Sequence, residues 1–280
     1  MTYDDTFHSR CDQYMHAVRS YPLVMQHEYR TAVDLLDLES SPCAKTILHF
    51  QAGGIPLNLY VNDRHRYVPV ETSAGFARWG YLLCSYDRLP VEDDSVDRFI
   101  VVASLHHASI EERTKLYRDV HRAMQTDGKM ILGDVRRGSK QDRWLNEFVH
   151  RHNVSGHIGM FFEKEEEIHH LARCGWRVTS TPLVTYPWVF DDRESLLQFT
   201  RQLFGLNSYL SDETVMSALS CYLDVQQVEQ GYHIAWELLY LIAEVSEVSE
   251  ACDNHSTTSC PIPSPPPETD KLDDPPTVSE

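Results

Sequence analysis

Apolar and polar positions in the middle of the chain follow a pattern that predicts a strand, a helix and a second strand. Residues 98–104 form a short apolar run rich in β-branched side chains, typical of a strand buried on both faces. Residues 111–124 carry apolar side chains at helical spacing, and Asp127-Gly128 then predicts a turn before the apolar run 129–135. A helix between two buried strands predicts a βαβ unit and therefore a parallel sheet.

The same patterns extend the predicted sheet on both sides of this unit. Strands are predicted at 46–50, 66–71 and 80–86, and again at 176–182 and 184–190, where the last two are expected to pair as an antiparallel hairpin. Pro187 favours an edge position or a strand end for the final strand. Helices are predicted at 4–38 with a break at Tyr21-Pro22, at 139–149, and at 164–174 ahead of Gly175.

These elements divide the chain into four parts. Residues 1–40 are N-terminal helices, 41–190 an α/β core, 191–245 a helical extension, and 246–280 a disordered tail. The extension includes Trp236–Val245 as its third apolar helix. Three roles remain open for the extension, namely a cap over the core, a dimer surface or an internal buttress. The tail is rich in Pro, Ser, Thr and Glu and cannot bury a core.

Composition excludes several classes of protein. The 280 residues carry a net charge of −17, which argues against a nucleic-acid surface. No apolar run reaches membrane-spanning length, and the first residues lack the apolar core of a signal peptide, so we expect no membrane partner and a cytoplasmic location. Seven scattered cysteines indicate reduced thiols, and neither they nor the adjacent pairs His106-His107 and His169-His170 predict a metal site.

Four short motifs lie between Leu89 and Val135. They are Leu-Pro with acidic residues and Ser-Val-Asp, Ser-Leu-His-His after the strand, Arg-Asp-Val-His-Arg in the helix, and Asp-Gly-Lys before Gly-Asp-Val. With them the segment resembles the second half of the class I S-adenosylmethionine (SAM)-dependent methyltransferases of type 11. The resemblance implies a Rossmann-like fold, a mostly parallel sheet with a C-terminal antiparallel hairpin and extra C-terminal helices. It also implies SAM as the cofactor, under N-terminal helices that cover the cleft.

The resemblance assigns the cofactor loop to the end of the first strand. His49 lies where the family usually has Asp or Glu, while Gln51 and Ile55 replace the first and last glycines of the loop. Gly53 and Gly54 remain, and small residues there let a backbone approach a cofactor closely.

The second strand ends at Glu71, where the family's acidic residue accepts hydrogen bonds from the cofactor ribose. The alternative is that Thr72 or Ser73 caps a helix and that Glu71 is merely nearby. Ser85 aligns with the family's acidic contact to the adenine amino group, and Tyr86 is a candidate for stacking on adenine. The predicted cofactor residues are His49, Gln51, Gly53, Gly54, Glu71, Thr72, Ser85, Tyr86 and Ser104.

Histidines supply the candidate acid–base groups, because imidazole titrates near neutral pH. His107 follows the fourth strand, at the edge that faces the ligand crevice in open α/β sheets. His152 and His157 lie in a turn-rich segment from which similar methyltransferases often complete the substrate pocket. Structural hydrogen bonding is the alternative for all three.

Two functions follow from the resemblance. The first is a SAM-dependent methyltransferase acting on a small-molecule acceptor. The second is a non-methylating pseudo-methyltransferase that binds SAM weakly or not at all. It would be either the regulatory or scaffold partner of an active enzyme or a fold relative with another reaction. This function is favoured by four positions that depart from the family's cofactor-contact residues: His49, Gln51, Ile55 and Ser85. A homodimer or a protein partner through the C-terminal helices is expected in addition to the small-molecule substrate.

Overall fold

The computed structural model describes residues 3–53 and 57–246. Nine strands form one mixed sheet in the described residues, with β3, β2, β1, β4 and β5 side by side and parallel. The strands are β1 (Thr46–Phe50), β2 (Arg66–Glu71), β3 (Leu82–Leu83), β4 (Val96–Val102), β5 (Met124–Asp134), β6 (Trp176–Ser180), β7 (Leu183–Phe190), β8 (Gln226–Val228) and β9 (Gly231–Val245). The predicted Rossmann-like fold with antiparallel C-terminal strands is confirmed.

Helices cover both faces of this sheet. They are α1 (Tyr3–Phe7), α2 (Cys11–Ser20), α3 (Gln26–Asp34), α4 (Ala74–Ala77), α5 (Ile110–Ala123), α6 (Lys140–Arg143), α7 (His150–His152), α8 (Lys164–Ala172), α9 (Arg193–Phe204) and α10 (Asp212–Leu223). A π-helical segment, Trp144–Val149, joins α6 to α7. Apolar side chains of α5 and α8 pack on one face, and those of α2, α3, α9 and α10 pack on the other. The predicted break at Tyr21-Pro22 lies between α2 and α3.

The segment Trp236–Val245 is a strand, which corrects the prediction of a third C-terminal helix. It belongs to β9, whose C-terminal half lies between β5 and β6 and pairs antiparallel with both. Trp236, Leu238 and Tyr240 face one apolar core, and Leu239 and Leu241 face the other. A strand that is buried on both faces is continuously apolar, and such a run cannot be told from a buried helix by its periodicity.

The predicted hairpin between 176–182 and 184–190 is also corrected. β6 and β7 do not pair with each other; both pair antiparallel with β9. Only Thr181 and Pro182 separate them, and the two strands run in the same direction along β9. Their antiparallel partner therefore arrives only after α9 and α10. Pro187 lies in β7, which pairs only with β9 among the described strands, as expected for an edge strand.

The limits of α5, β5 and β3 differ from the predicted ones. α5 begins with a capping box in which Ser109 accepts from the backbone of Glu112 and Glu112 accepts from the backbone of Ser109. It ends at Ala123, and β5 starts at Met124, before the turn predicted at Asp127-Gly128. The third strand is short, with only Leu82–Leu83 of the predicted 80–86 in the sheet.

Candidate functional site

The carboxyl ends of β1 and β2 meet at the first candidate site. Gly53, just after β1, has φ +52° and donates its backbone N–H to Oε1 of Glu71 over 2.5 Å. A Cβ on Gly53 would lie 3.6 Å from the Tyr3 hydroxyl, in a left-handed backbone conformation that strains any side chain. This turn therefore brings the backbone directly onto the Glu71 carboxylate.

Glu71 is fully buried, and burial raises the pKa of its carboxyl to about 7. Backbone N–H groups of Gly53, Ser73 and Thr72 oppose that shift. Oε2 has no hydrogen-bond partner among the described residues. Ser73 also caps α4 through Gly75, so the capping alternative holds for Ser73 while Glu71 keeps an open acceptor oxygen.

The N-terminal helix α1 packs against Glu71 and Phe76 at this site. The Tyr3 hydroxyl donates to Oε1 of Glu71 over 3.3 Å. Tyr3 and Phe7 pack against Phe76, with ring centroids 6.2 and 5.1 Å away, in a small apolar cluster of their own. The helix therefore contributes both a cover and a polar contact at the carboxylate.

Gln51 fills the space between the ends of β1, β2 and β3. It has φ +49°, the backbone conformation that the family's glycine would adopt without strain. Its side-chain amide donates to the Thr72 hydroxyl over 3.0 Å and to the Tyr86 hydroxyl over 2.8 Å. Tyr86 is half-buried, with its ring 5.4 Å from that of Phe50.

Two predicted cofactor residues have other partners in the structure. His49 is fully buried, its Nδ1 lies 2.6 Å from the Tyr67 hydroxyl, and burial lowers the pKa of the imidazole to about 3. Ser85 is exposed and donates its hydroxyl to Asp87. His49 is thus neutral and packed between strands, and Ser85 belongs to a surface turn. Gly54, Ile55 and the tail from 247 lie outside the described residues.

A second, internal cavity of about 80 Å³ lies beyond the ends of β4 and β5. His106, His107 and His157 line it, together with the charged side chains Arg10 and Glu28. Its aromatic lining comes from α1, α2, α9, β7 and β9, through Phe7, Tyr14, Phe204, Trp188 and Trp236. Leu203 and Phe204 of α9 form one side of this cavity.

The three cavity histidines differ in their hydrogen bonding. His106 Nδ1 lies 2.8 Å from Oδ1 of Asp134, and the His106 backbone N–H donates to the other carboxylate oxygen over 2.9 Å. Burial lowers the pKa of His107 and of His157, as does the charge of His106. Both imidazoles are therefore neutral at physiological pH, and the lowered pKa makes each a weaker base.

His152 lies apart from this group and stays a candidate from the sequence alone. It ends the helix α7, its ring lies 4.7 Å from that of Phe148, and it does not line the cavity. Asn153 and the turn at Gly156 then reverse the chain and carry His157 inward. Ser104 is buried immediately before the turn that carries His106 and His107, and its hydroxyl has no partner among the described residues.

Arg10 and Glu28 place two ionisable groups in the cavity wall. Burial lowers the pKa of Arg10 to about 10, so the guanidinium remains charged, and it donates to the Leu203 carbonyl over 2.9 Å. Burial raises the pKa of Glu28 to about 8. Trp188 lies near enough to oppose that rise, but neither Glu28 oxygen forms a hydrogen bond of good geometry with a described residue.

Comparison with known proteins assigns the domain. Residues 53–132 match the family model described as a methyltransferase domain. The chain contains a methyltransferase domain. The match runs from the Gly53 turn through β5 and includes Glu71, His106 and His107. No curated protein matches the chain at a significant level.

Solved structures show the fold of the methyltransferase domain. The Haemonchus contortus phosphoethanolamine N-methyltransferase 2, in complex with phosphomonomethylethanolamine and S-adenosylhomocysteine, is 13% identical, with a TM-score of 0.55 over 87% of this chain and 59% of that one. The YcgJ protein of Bacillus subtilis is 14% identical, with a TM-score of 0.51 over 79% of this chain and 99% of that one. One chain of a Haloferax volcanii complex, which contains the Trm112 methyltransferase activator and a provisionally assigned methyltransferase, is 14% identical, with a TM-score of 0.54 over 88% and 98%.

Sequence reasoning missed several polar residues of the two candidate sites. Tyr3, Arg10, Glu28, His106 and Asp134 were not among its predicted site residues. Glu28 carries no clear signal, because Gln26, His27 and Arg30 make the helix around it polar. Asp134 carries a usable signal, since it follows the apolar run Met130–Leu132 near the end of a predicted strand. None of the helices in the described ranges is long and apolar enough for a membrane span.

Proposed function

We propose that this protein is a SAM-dependent methyltransferase that acts on a small-molecule acceptor. The observation that carries the proposal is Glu71, a buried carboxylate at the carboxyl end of β2, held against the Gly53 turn with one oxygen free. In a sheet with this strand order, ligands bind outside the carboxyl ends of the parallel strands. The methyltransferase-domain match supports SAM as the ligand.

The residues at this edge suit a cofactor ribose at some positions and not at others. Glu71 offers an acceptor oxygen for a ribose hydroxyl, and the Gly53 turn permits close backbone approach. The Tyr3 hydroxyl and the Gln51 amide occupy neighbouring hydrogen-bonding positions and would have to move or share them. Bound SAM would supply an electrophilic methyl group; the chain's own part is to hold the cofactor and the acceptor in line.

The internal cavity supports a small acceptor rather than a macromolecular one. It measures about 80 Å³, with Phe7 of α1 and Phe204 of α9 in its wall, and a small group fits beside the histidines. Phe7, Trp188 and Trp236 provide apolar surface, while Arg10 and Glu28 provide polar groups that orient a ligand. His107 and His157 line the same wall and would contact a bound acceptor.

A second candidate is the non-methylating pseudo-methyltransferase, and one contact pattern favours it. Tyr3 and Gly53 already bind Oε1 of Glu71, and Gln51 already joins Thr72 to Tyr86. These bonds satisfy protein groups that a cofactor would otherwise meet. Under this alternative the covered crevice stays closed and the outer surface of the domain serves a protein partner.

Calorimetric titration of the full chain with SAM and with S-adenosylhomocysteine distinguishes the two functions. We expect micromolar binding, weakened on the order of 1–3 kcal/mol by Glu71→Ala, since a hydrogen bond to a charged group is lost. Glu92→Ala, at an exposed position within the matched segment, is the control and should bind normally. No binding of either ligand to folded wild-type protein would support the pseudo-methyltransferase instead.

A further inference from the structure

The turn after β4 and the loop after α7 bring three histidines together in the internal cavity. The ring centroid of His106 lies 4.2 Å from that of His107 and 5.3 Å from that of His157, and the last two are 5.1 Å apart. One nitrogen of each ring can be chosen so that all three lie within 4.8 Å of one another. Nitrogens bound to one tetrahedral Zn²⁺ at about 2.1 Å lie about 3.4 Å apart, so the three rings would have to rotate and move closer to complete such a set.

Asp134 orients the first of these rings. Its fully buried carboxylate accepts from the backbone N–H of His106 and lies 2.8 Å from Nδ1 of the same residue. An Nδ1–H bonded to a carboxylate leaves Nε2 with a free lone pair. Histidine ligands of metal ions almost always have this kind of partner on their other nitrogen.

His157 gives an independent observation in favour of a ligand in this cavity. Its side chain is 8% exposed, and its Nδ1 is buried without a hydrogen-bond partner among the described residues. A buried polar atom without a partner destabilises the fold, and a bound ligand at His157 would satisfy it. The atom lies in the wall of the same cavity as His106 and His107.

The charges in the cavity decide what kind of ligand can bind there. The Arg10 guanidinium disfavours a further cation, while the Glu28 carboxyl lines the same cavity and can balance it by ionising. Three imidazoles are borderline ligands that select Zn²⁺, Co²⁺ or Ni²⁺ over Mg²⁺ and Ca²⁺, which prefer oxygen. A three-histidine set also keeps one coordination position open, as in catalytic zinc sites.

We propose that His106, His107 and His157 bind a divalent transition-metal ion, such as Zn²⁺, whose open coordination position faces the internal cavity. Sequence spacing could not indicate the site, since adjacent His106 and His107 converge only with a histidine from a distant loop. Binding of a hydroxyl or thiol acceptor at the open position rests on the proposed methyltransferase function. Metal binding itself does not, because it needs neither cofactor nor acceptor.

The test uses the full chain, freed of any affinity tag and depleted of metal with a chelator. Titration with Zn²⁺ by calorimetry, and with Co²⁺ by its visible absorption, should give one site per chain with a dissociation constant in the micromolar range or below. His157→Gln should weaken binding at least a hundredfold, and Asp134→Asn by 10- to 100-fold through loss of the orienting bond. His169→Gln, at an exposed histidine outside the cavity, is the matched control and should bind like wild type.

Thermal unfolding keeps the test decisive if a variant is less stable. Zn²⁺ should raise the melting temperature of wild type and of His169→Gln, but not that of His157→Gln, because only the native state holds the site. Absence of metal binding by the folded wild type would overturn the proposal, as would binding that His157→Gln leaves unchanged. Either result leaves the SAM titration to be judged separately.

Discussion

Glu28 gives the sharpest prediction about stability, because its carboxyl is buried in the cavity wall without a good hydrogen bond. Burial raises the pKa of that carboxyl from 4.5 to about 8, so the native state holds a proton that the unfolded chain has released. The free energy of unfolding therefore falls as pH rises, by about 1.4 kcal/mol per pH unit between the two pKa values. Between pH 5 and pH 8 the loss due to this one group is about 3 kcal/mol.

Glu28→Gln removes the ionisation and keeps the shape of the side chain. We expect the variant and wild type to unfold with similar free energies near pH 5, and the variant to be more stable by about 3 kcal/mol at pH 8. Taking the difference between the two proteins at each pH cancels the contributions of other titrating groups, Glu71 among them. Glu229→Gln, at an exposed glutamate, is the control and should follow wild type throughout.

Urea denaturation at several pH values between 5 and 8 measures these free energies, with fluorescence of the buried tryptophans as the signal. The slope of the difference against pH is the informative quantity, because a uniform offset would reflect packing alone. A difference that does not change with pH would refute the reasoning, since it would mean that Glu28 is hydrated or paired in solution.

Two further predictions concern residues that support the sites. Tyr3→Phe removes the hydroxyl that donates to Glu71. This change should strengthen SAM binding about fivefold in calorimetry. Weaker binding would show that the hydroxyl helps to hold the cofactor. Arg113→Met leaves the buried Glu167 carboxylate without its ion-pair partner and should cost about 3–5 kcal/mol in urea denaturation. Lys115→Met breaks an exposed pair and should cost far less, so equal losses in the two variants would contradict the argument from burial.

The sequence alone determined the elements whose signals are local. The limits of β1 and β2 agree with the prediction, and α5 deviates by a single residue at each end. Short β-branched runs, a capping box and a helical apolar stripe lie within a few residues of one another and act before any distant contact forms. Since a βαβ unit has a fixed handedness and parallel strands, these local signals also fixed the sheet type.

Tertiary structure decided what depends on distant partners. The run Trp236–Val245 is apolar on all sides and suits either a buried helix or a central strand; the open edges of β5 and β6 made it a strand. The predicted hairpin was wrong because that third strand pairs with both of its members.

The candidate sites show the same division between local and distant information. The strand ends placed Glu71 and His107 at the ligand edge of the sheet, as the sequence predicted. Tyr3 reaches Glu71 across 68 residues and His106 reaches Asp134 across 28, and neither contact leaves a spacing pattern in the sequence. His152 and His157 are near neighbours in the chain, yet only His157 lines the cavity. Hydrogen bonds from Asn153 to Phe204 and from His157 to His150 set the path of the loop that carries it there.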